Sequence, residues 1–154
     1  ERANTEAARA NAGVDATNAR ISNLDNFDLK TQASVLFKVN SAELTPEAMA
    51  VLDTLAEEAA NQDGYILEVA GYTDITGTMT KNQMLSHQRA DAVVLYLTGV
   101  RGIPLRRIVT PAGYGSLKPV GDNTTREGRI QNRRVEVNLL INKGITTEVA
   151  STSP

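Results

Sequence analysis

Val69-Ala-Gly-Tyr-Thr-Asp74, followed by Asn82, Leu85-Ser86 and Arg89-Ala90, sets how the chain on either side is read. An apolar run ends in a carboxylate, a loop with Gly77 follows, and a helical stripe then carries a guanidinium. Asp74 and Arg89 stand fifteen positions apart, yet a strand–loop–helix turn brings both to one mouth. One fixed anion beside one fixed cation suits a zwitterion, a ligand with an ammonium and a carboxylate close together. Such a pair argues for binding before it argues for catalysis.

The flanks extend the same alternation. Upstream, Ser34-Val-Leu-Phe-Lys-Val39 is rich in β-formers and reads as a strand. Thr45-Pro46 supplies an N-cap and a proline at the first helical position, and Met49, Leu52, Leu55, Ala56 and Ala59 form the buried stripe. Asp63-Gly64 closes that unit ahead of a strand over 65–72. A loop over 75–80 leads to a helix over 81–98, with Leu85, Ala90, Val93, Val94 and Leu97 as its stripe and Gly99 as its stop. A third strand covers 107–112, a glycine-rich loop runs over 113–128, and the last strand covers 135–141. The order β-α-β-α-β-β predicts an α/β chain of the α+β sandwich type. Its sheet is mixed, with both helices on one face, because each helix must cover the sheet to bury its stripe.

Outside residues 29–142 the pattern changes. Ala3, Ala7, Ala10, Val14, Thr17, Ile21 and Leu24 alternate spacings of four and three. This predicts an Ala-rich helical arm over 1–28, with 1–26 as its helix, acting as a spacer. Its small a/d residues leave self-association and docking on its own domain as open alternatives. Residues 143–154 lack periodicity and read as a disordered tail. The chain starts at Glu1 without Met, as a fragment or processed form does, so any signal peptide, lipid anchor or membrane helix would lie upstream.

At 154 residues, 41% hydrophobic and 22% charged, the chain is long enough for one domain with a core. A net charge of -2 gives no basic face for nucleic acid. It has no cysteine, so neither a disulfide framework nor a thiolate metal site is available. No apolar run reaches the roughly 18 residues of a membrane span.

On the second helix Asn82, Leu85 and Arg89 share one face, at i, i+3 and i+7. The face offers an amide, an apolar contact and a fork for a carboxylate, while Asp74 accepts from an ammonium. A plainer reading has Asp74 capping its loop, or pairing with Arg89. In the cluster from Thr124 to Glu136, one of the arginines ahead of the last strand points inward beside Asp74 and the others are solvated. Its plainer reading is a surface loop held by weak ion pairs. His87 adjoins Ser86 on a helix, so the two diverge and form no nucleophile–base pair. Glu57-Glu58 read as a solvated face. The Gly113 loop has no Walker pattern, and no metal-ligand spacing occurs. No catalytic set, metal site or cofactor motif emerges.

Several of these residues recur as a set. Phe37, Asn40-Ser-Ala-Glu-Leu44, Gly71-Tyr-Thr-Asp74, Thr76-Gly77, Asn82, Leu85-Ser86, Arg89-Ala90, Gly113-Tyr-Gly115, Pro119, Asn123, Gly128-Arg129 and Asn132-Arg-Arg-Val-Glu136 resemble the OmpA-like C-terminal domain. That family includes peptidoglycan-associated lipoproteins and the periplasmic part of flagellar stator proteins. The resemblance covers about 34–141, and one departure is Tyr72, where the family usually has His. It implies non-covalent binding of peptidoglycan through the diaminopimelate of the stem peptide. Carried over by position, Asp74 holds the ammonium and Arg89 the carboxylate, while Asn40, Thr73, Asn82, Leu85 and Arg133 line the same pocket. It also implies a periplasmic, outer-membrane-associated place in a Gram-negative-type envelope, with the outer membrane reached through upstream sequence. The arm resembles spacers found before such domains. Tying the outer membrane to the wall competes with anchoring a motor, stator or transport machine, and with a wall enzyme, which the missing catalytic dyad disfavours.

Overall fold

A computed structural model describes residues 27–142, within which Leu29–Ile141 forms one compact unit. The expected helix over 1–26 and the tail over 143–154 lie outside the described residues. The elements are β1 (Phe27–Leu36), α1 (Pro46–Ala60), β2 (Tyr65–Gly71), α2 (Met79–Leu95), β3 (Ile108–Gly113), α3 (Arg126–Asn132) and β4 (Arg134–Asn142). The four strands form one sheet in the order β1-β4-β2-β3. β2 runs antiparallel to β4, with Tyr65 opposite Ile141 and Gly71 opposite Val135, and parallel to β3. The sheet is therefore mixed, and the fold is α/β as the element order predicts.

Alternation makes the core. Tyr65, Leu67 and Val69 of β2 and Val135, Val137 and Leu139 of β4 are buried on one face. Leu52, Leu55, Ala56 and Ala59 of α1 and Ala90 and Val93 of α2 join the same cluster. The Thr45 hydroxyl caps α1 by accepting from the Ala48 N–H, and Pro46 begins the helix.

Four expectations need correction. β1 starts at Phe27, not Ser34, and includes Phe27 and Asp28, which the sequence reading gave to the arm. Only Val35 of its ten residues is fully buried, so an edge strand leaves little hydrophobic signal. In α1 the buried position is Ala48, while Met49 is 36% exposed. Gly99 does not stop α2, because the chain continues through a wider turn over Tyr96–Val100 that contains it. The positive φ of 72° at Gly102 comes next. Finally, α3 interrupts the loop expected to run straight into β4.

Two glycines set how closely α2 lies on the sheet. A Cβ on Gly71 would stand 2.1 Å from the Ser86 carbonyl oxygen, and one on Gly113 would stand 2.5 Å from the Ser86 hydroxyl. Backbone therefore meets backbone where β2, β3 and α2 converge. The polar residues Asn82, Ser86 and Arg89 are carried on the buried side of α2.

Candidate functional site

The site begins where β2 ends. Tyr72, Thr73 and Asp74 continue from Gly71 as buried chain, with the Thr73 N–H donating to the Gly115 carbonyl at 2.8 Å. Asp74 is 5% exposed. Its Oδ1 accepts from the Thr76 N–H at 2.8 Å and its Oδ2 from Arg133 Nη1 at 3.0 Å. The Thr78 hydroxyl then caps α2, and one turn on Asn82 reaches back to the Asp74 carbonyl at 3.5 Å. The loop-capping reading and the inward-arginine reading thus both describe Asp74, whereas a direct Asp74–Arg89 pair does not form.

Arg89 has no solvent exposure. Its Nε donates to the Ser41 carbonyl at 2.8 Å, Nη1 to Tyr72 at 3.0 Å and Nη2 to Lys38 at 3.0 Å. The guanidinium also sits over the Phe37 ring, 5.3 Å from its centre. Those bonds use three of its five N–H donors. No carboxylate among the described residues lies at ion-pair distance from it.

One cavity of about 250 Å³ takes in all the residues expected to line the pocket, Asn40, Thr73, Asp74, Asn82, Leu85, Arg89 and Arg133. Thr73 and Asp74 come from the strand end, and Asn82, Leu85 and Arg89 from α2. Asn40 arrives on the turn after β1, in a left-handed conformation (φ 58°) that asparagine tolerates, and Arg133 follows α3. Sequence reasoning missed Val39 and Lys81 as lining residues, and it had Thr76 and Gly77 as loop and as part of the family resemblance but not in the pocket. Lys81 had a legible signal, since it stands one turn before Leu85 on the same face of α2.

The charges oppose one another inside this cavity. Burial works against ionisation of Asp74, but the Thr76 N–H and Arg133 outweigh it and hold the carboxyl below its ordinary value of 3.8. Burial, reinforced by the neighbouring Arg133 charge and partly offset by Asp74, lowers Arg89 to about 10. Both groups stay charged near neutral pH.

Arg134 departs from the expectation that the other arginines are solvated. It is 3% exposed, pairs with Glu136 at 2.7 Å and lies 3.8 Å over the Tyr72 ring. Tyr72 in turn stacks on Tyr114, with ring centres 5.5 Å apart, and its side chain does not line the cavity. His87 is exposed. Among the described residues no group of three or more histidines or carboxylates is placed to hold a metal ion.

A family model described as the OmpA family matches residues 36–133, from the end of β1 to Arg133. The chain belongs to the OmpA family. Outer membrane protein A of Bordetella avium is 39% identical over 108 residues, covering 70% of this chain and 55% of that protein. This chain spans from about a third to about half the length of the curated relatives it matches. Among solved structures, the peptidoglycan-associated lipoprotein from Burkholderia pseudomallei superposes with a TM-score of 0.63 at 26% identity, covering 69% of this chain and 88% of that one. The cell wall anchor of the T6SS from Pseudomonas aeruginosa gives 0.62 at 26% identity, covering 80% and 93%. The OmpA family match ends at Arg133, the cavity's last contributor, so it contains the whole lining.

Proposed function

We propose that the domain binds peptidoglycan non-covalently, taking the diaminopimelate of the stem peptide into the cavity and anchoring an envelope component to the wall. One observation carries this reading. Arg89 is buried with two N–H donors uncommitted, has no carboxylate of its own, and lines the same small cavity as ionised Asp74. A ligand carboxylate on Arg89 and a ligand ammonium on Asp74 complete both sides. The Asp74 oxygens each accept one bond and keep lone pairs for an ammonium. Asn40, Thr73, Asn82 and Leu85 shape the walls, and Arg133 fixes the Asp74 rotamer.

The similarity to a peptidoglycan-associated lipoprotein and to a cell wall anchor supports the binding class over an enzyme. An outer-membrane tether is favoured by the likeness to outer membrane protein A. Anchoring of a transport machine is the second reading, favoured by the T6SS likeness. In both, the domain works in the periplasm of a Gram-negative-type envelope, residues 29–142 bind, and residues 1–28 act as spacer or self-association arm. Calorimetry with a diaminopimelate stem peptide, set beside one acetylated on its side-chain amine, tests the clamp. The expected result is tight binding of the first only, lost in Asp74→Asn. Equal binding of both peptides sinks the reading.

A further inference from the structure

The cavity holds more positive charge than a zwitterion can balance. Its charged lining is Asp74, Lys81, Arg89 and Arg133, three cations against one carboxylate. A ligand zwitterion adds one charge of each sign, so the surplus remains. Arg133 leans on Asp74, and Arg89 is assigned to the ligand's first carboxylate. Lys81 is left over. It makes no ion pair among the described residues, and it sits in the first turn of α2, which contains no acidic residue. A cation is unfavourable at that helix end, so local stability does not account for it.

Lys81 also stands at a junction. A second groove of about 410 Å³ abuts the cavity and shares Asn40, Lys81 and Leu85 with it. Thr78, Thr80, Met84 and Gln88 complete the groove, and Lys81 is its only charged lining residue. The groove thus offers one way out of the cavity for a peptide seated there by its zwitterion.

We propose that Lys81 binds a second carboxylate of the ligand, outside the zwitterion, and so selects stem peptides in which that carboxylate is free over those in which it is amidated. This rests on the zwitterion reading above. Two groups have the required chemistry: the α-carboxylate of the γ-linked glutamate that precedes the diaminopimelate, and the peptide's C-terminal carboxylate.

The test uses three peptides in calorimetry: Ala-γ-Glu-diaminopimelate, the same peptide amidated at the glutamate α-carboxylate, and the same peptide amidated at its C-terminus. One amide should bind about threefold to tenfold more weakly than the parent peptide, as fits a charge-assisted contact at a partly exposed site. That amide names the source of the carboxylate. Lys81→Gln should erase the difference without weakening the amidated peptide, and its melting temperature should match the parent protein, because Lys81 is exposed. Higher salt should shrink the difference. Equal binding of all three peptides, still dependent on Asp74, overturns this inference and leaves the zwitterion reading standing. A difference that persists in Lys81→Gln also overturns it. Binding of no peptide overturns both.

Discussion

Two arginines are buried near the end of β2, and they are provided for in opposite ways. Arg134 meets Glu136 at 2.7 Å, donates to the Lys118 carbonyl and lies over the ring of Tyr72, which stacks on Tyr114. Its charge is cancelled within the protein. Arg89 is equally buried but meets only carbonyl oxygens and the Phe37 ring. Dipoles hold it in position while its charge stays uncancelled, and its lowered pKa records the cost. A neutralised buried cation is architecture, whereas an uncancelled one bordering a cavity is disposed toward a ligand anion.

Substitution should separate the two. Arg89→Ala is expected to have the largest effect, removing about 2–5 kcal/mol of ligand binding. It should also lower the melting temperature, since three carbonyls lose their donor; titration and thermal melts check each part. Arg134→Ala should do the reverse. Stability should fall by about 3 kcal/mol, the lower end for a broken buried pair because Glu136 keeps some solvent. Peptide affinity of the folded fraction should stay within a few-fold. Loss of binding without loss of stability in Arg134→Ala would erase the contrast.

Gly71→Ala probes the layer between them. Its Cβ would meet the Ser86 carbonyl and push α2 outward, costing about 1–3 kcal/mol and weakening binding as Arg89 shifts. An unchanged melting temperature would show that α2 is not seated there. The smallest effect belongs to acid. Because Asp74 has a folded-state pKa below 3.8, its contribution to stability is complete above about pH 3.8. It is lost as pH falls through the lowered value. Asp74→Asn should lack that part of the acid slope, as denaturant melts between pH 5 and 2 would reveal.

The β2–α2 unit was legible because two independent signals coincide there. An apolar run ends in Asp74, and a helix face then carries Asn82, Leu85 and Arg89. α3 was not legible, since Thr125-Arg-Glu-Gly-Arg looks like a turn. Gly128 stands in it because a Cβ there would lie 1.9 Å from the Asp122 carbonyl, a contact invisible from local sequence. Arg134 was misread for a similar reason: Glu136 is two residues away, but Tyr72 and Lys118 reach it only through the fold. The stripe of α2 was drawn through apolar residues alone. Close seating on Gly71 and Gly113 instead buries Ser86 and Arg89, and Leu85 turns toward the cavity. Strand starts with little burial, such as Phe27–Ser34 in β1, carry no hydrophobic period to find.

The three carbonyls that hold Arg89 belong to two separate stretches of chain. Lys38 and Ser41 bracket the turn after β1, Tyr72 extends β2, and Arg89 itself is rooted midway along α2. A pull on any group gripped by that guanidinium is therefore divided over several strands of backbone at once. Such branching spreads tension as a splayed root does in soil, so the grip resists being peeled away one bond at a time.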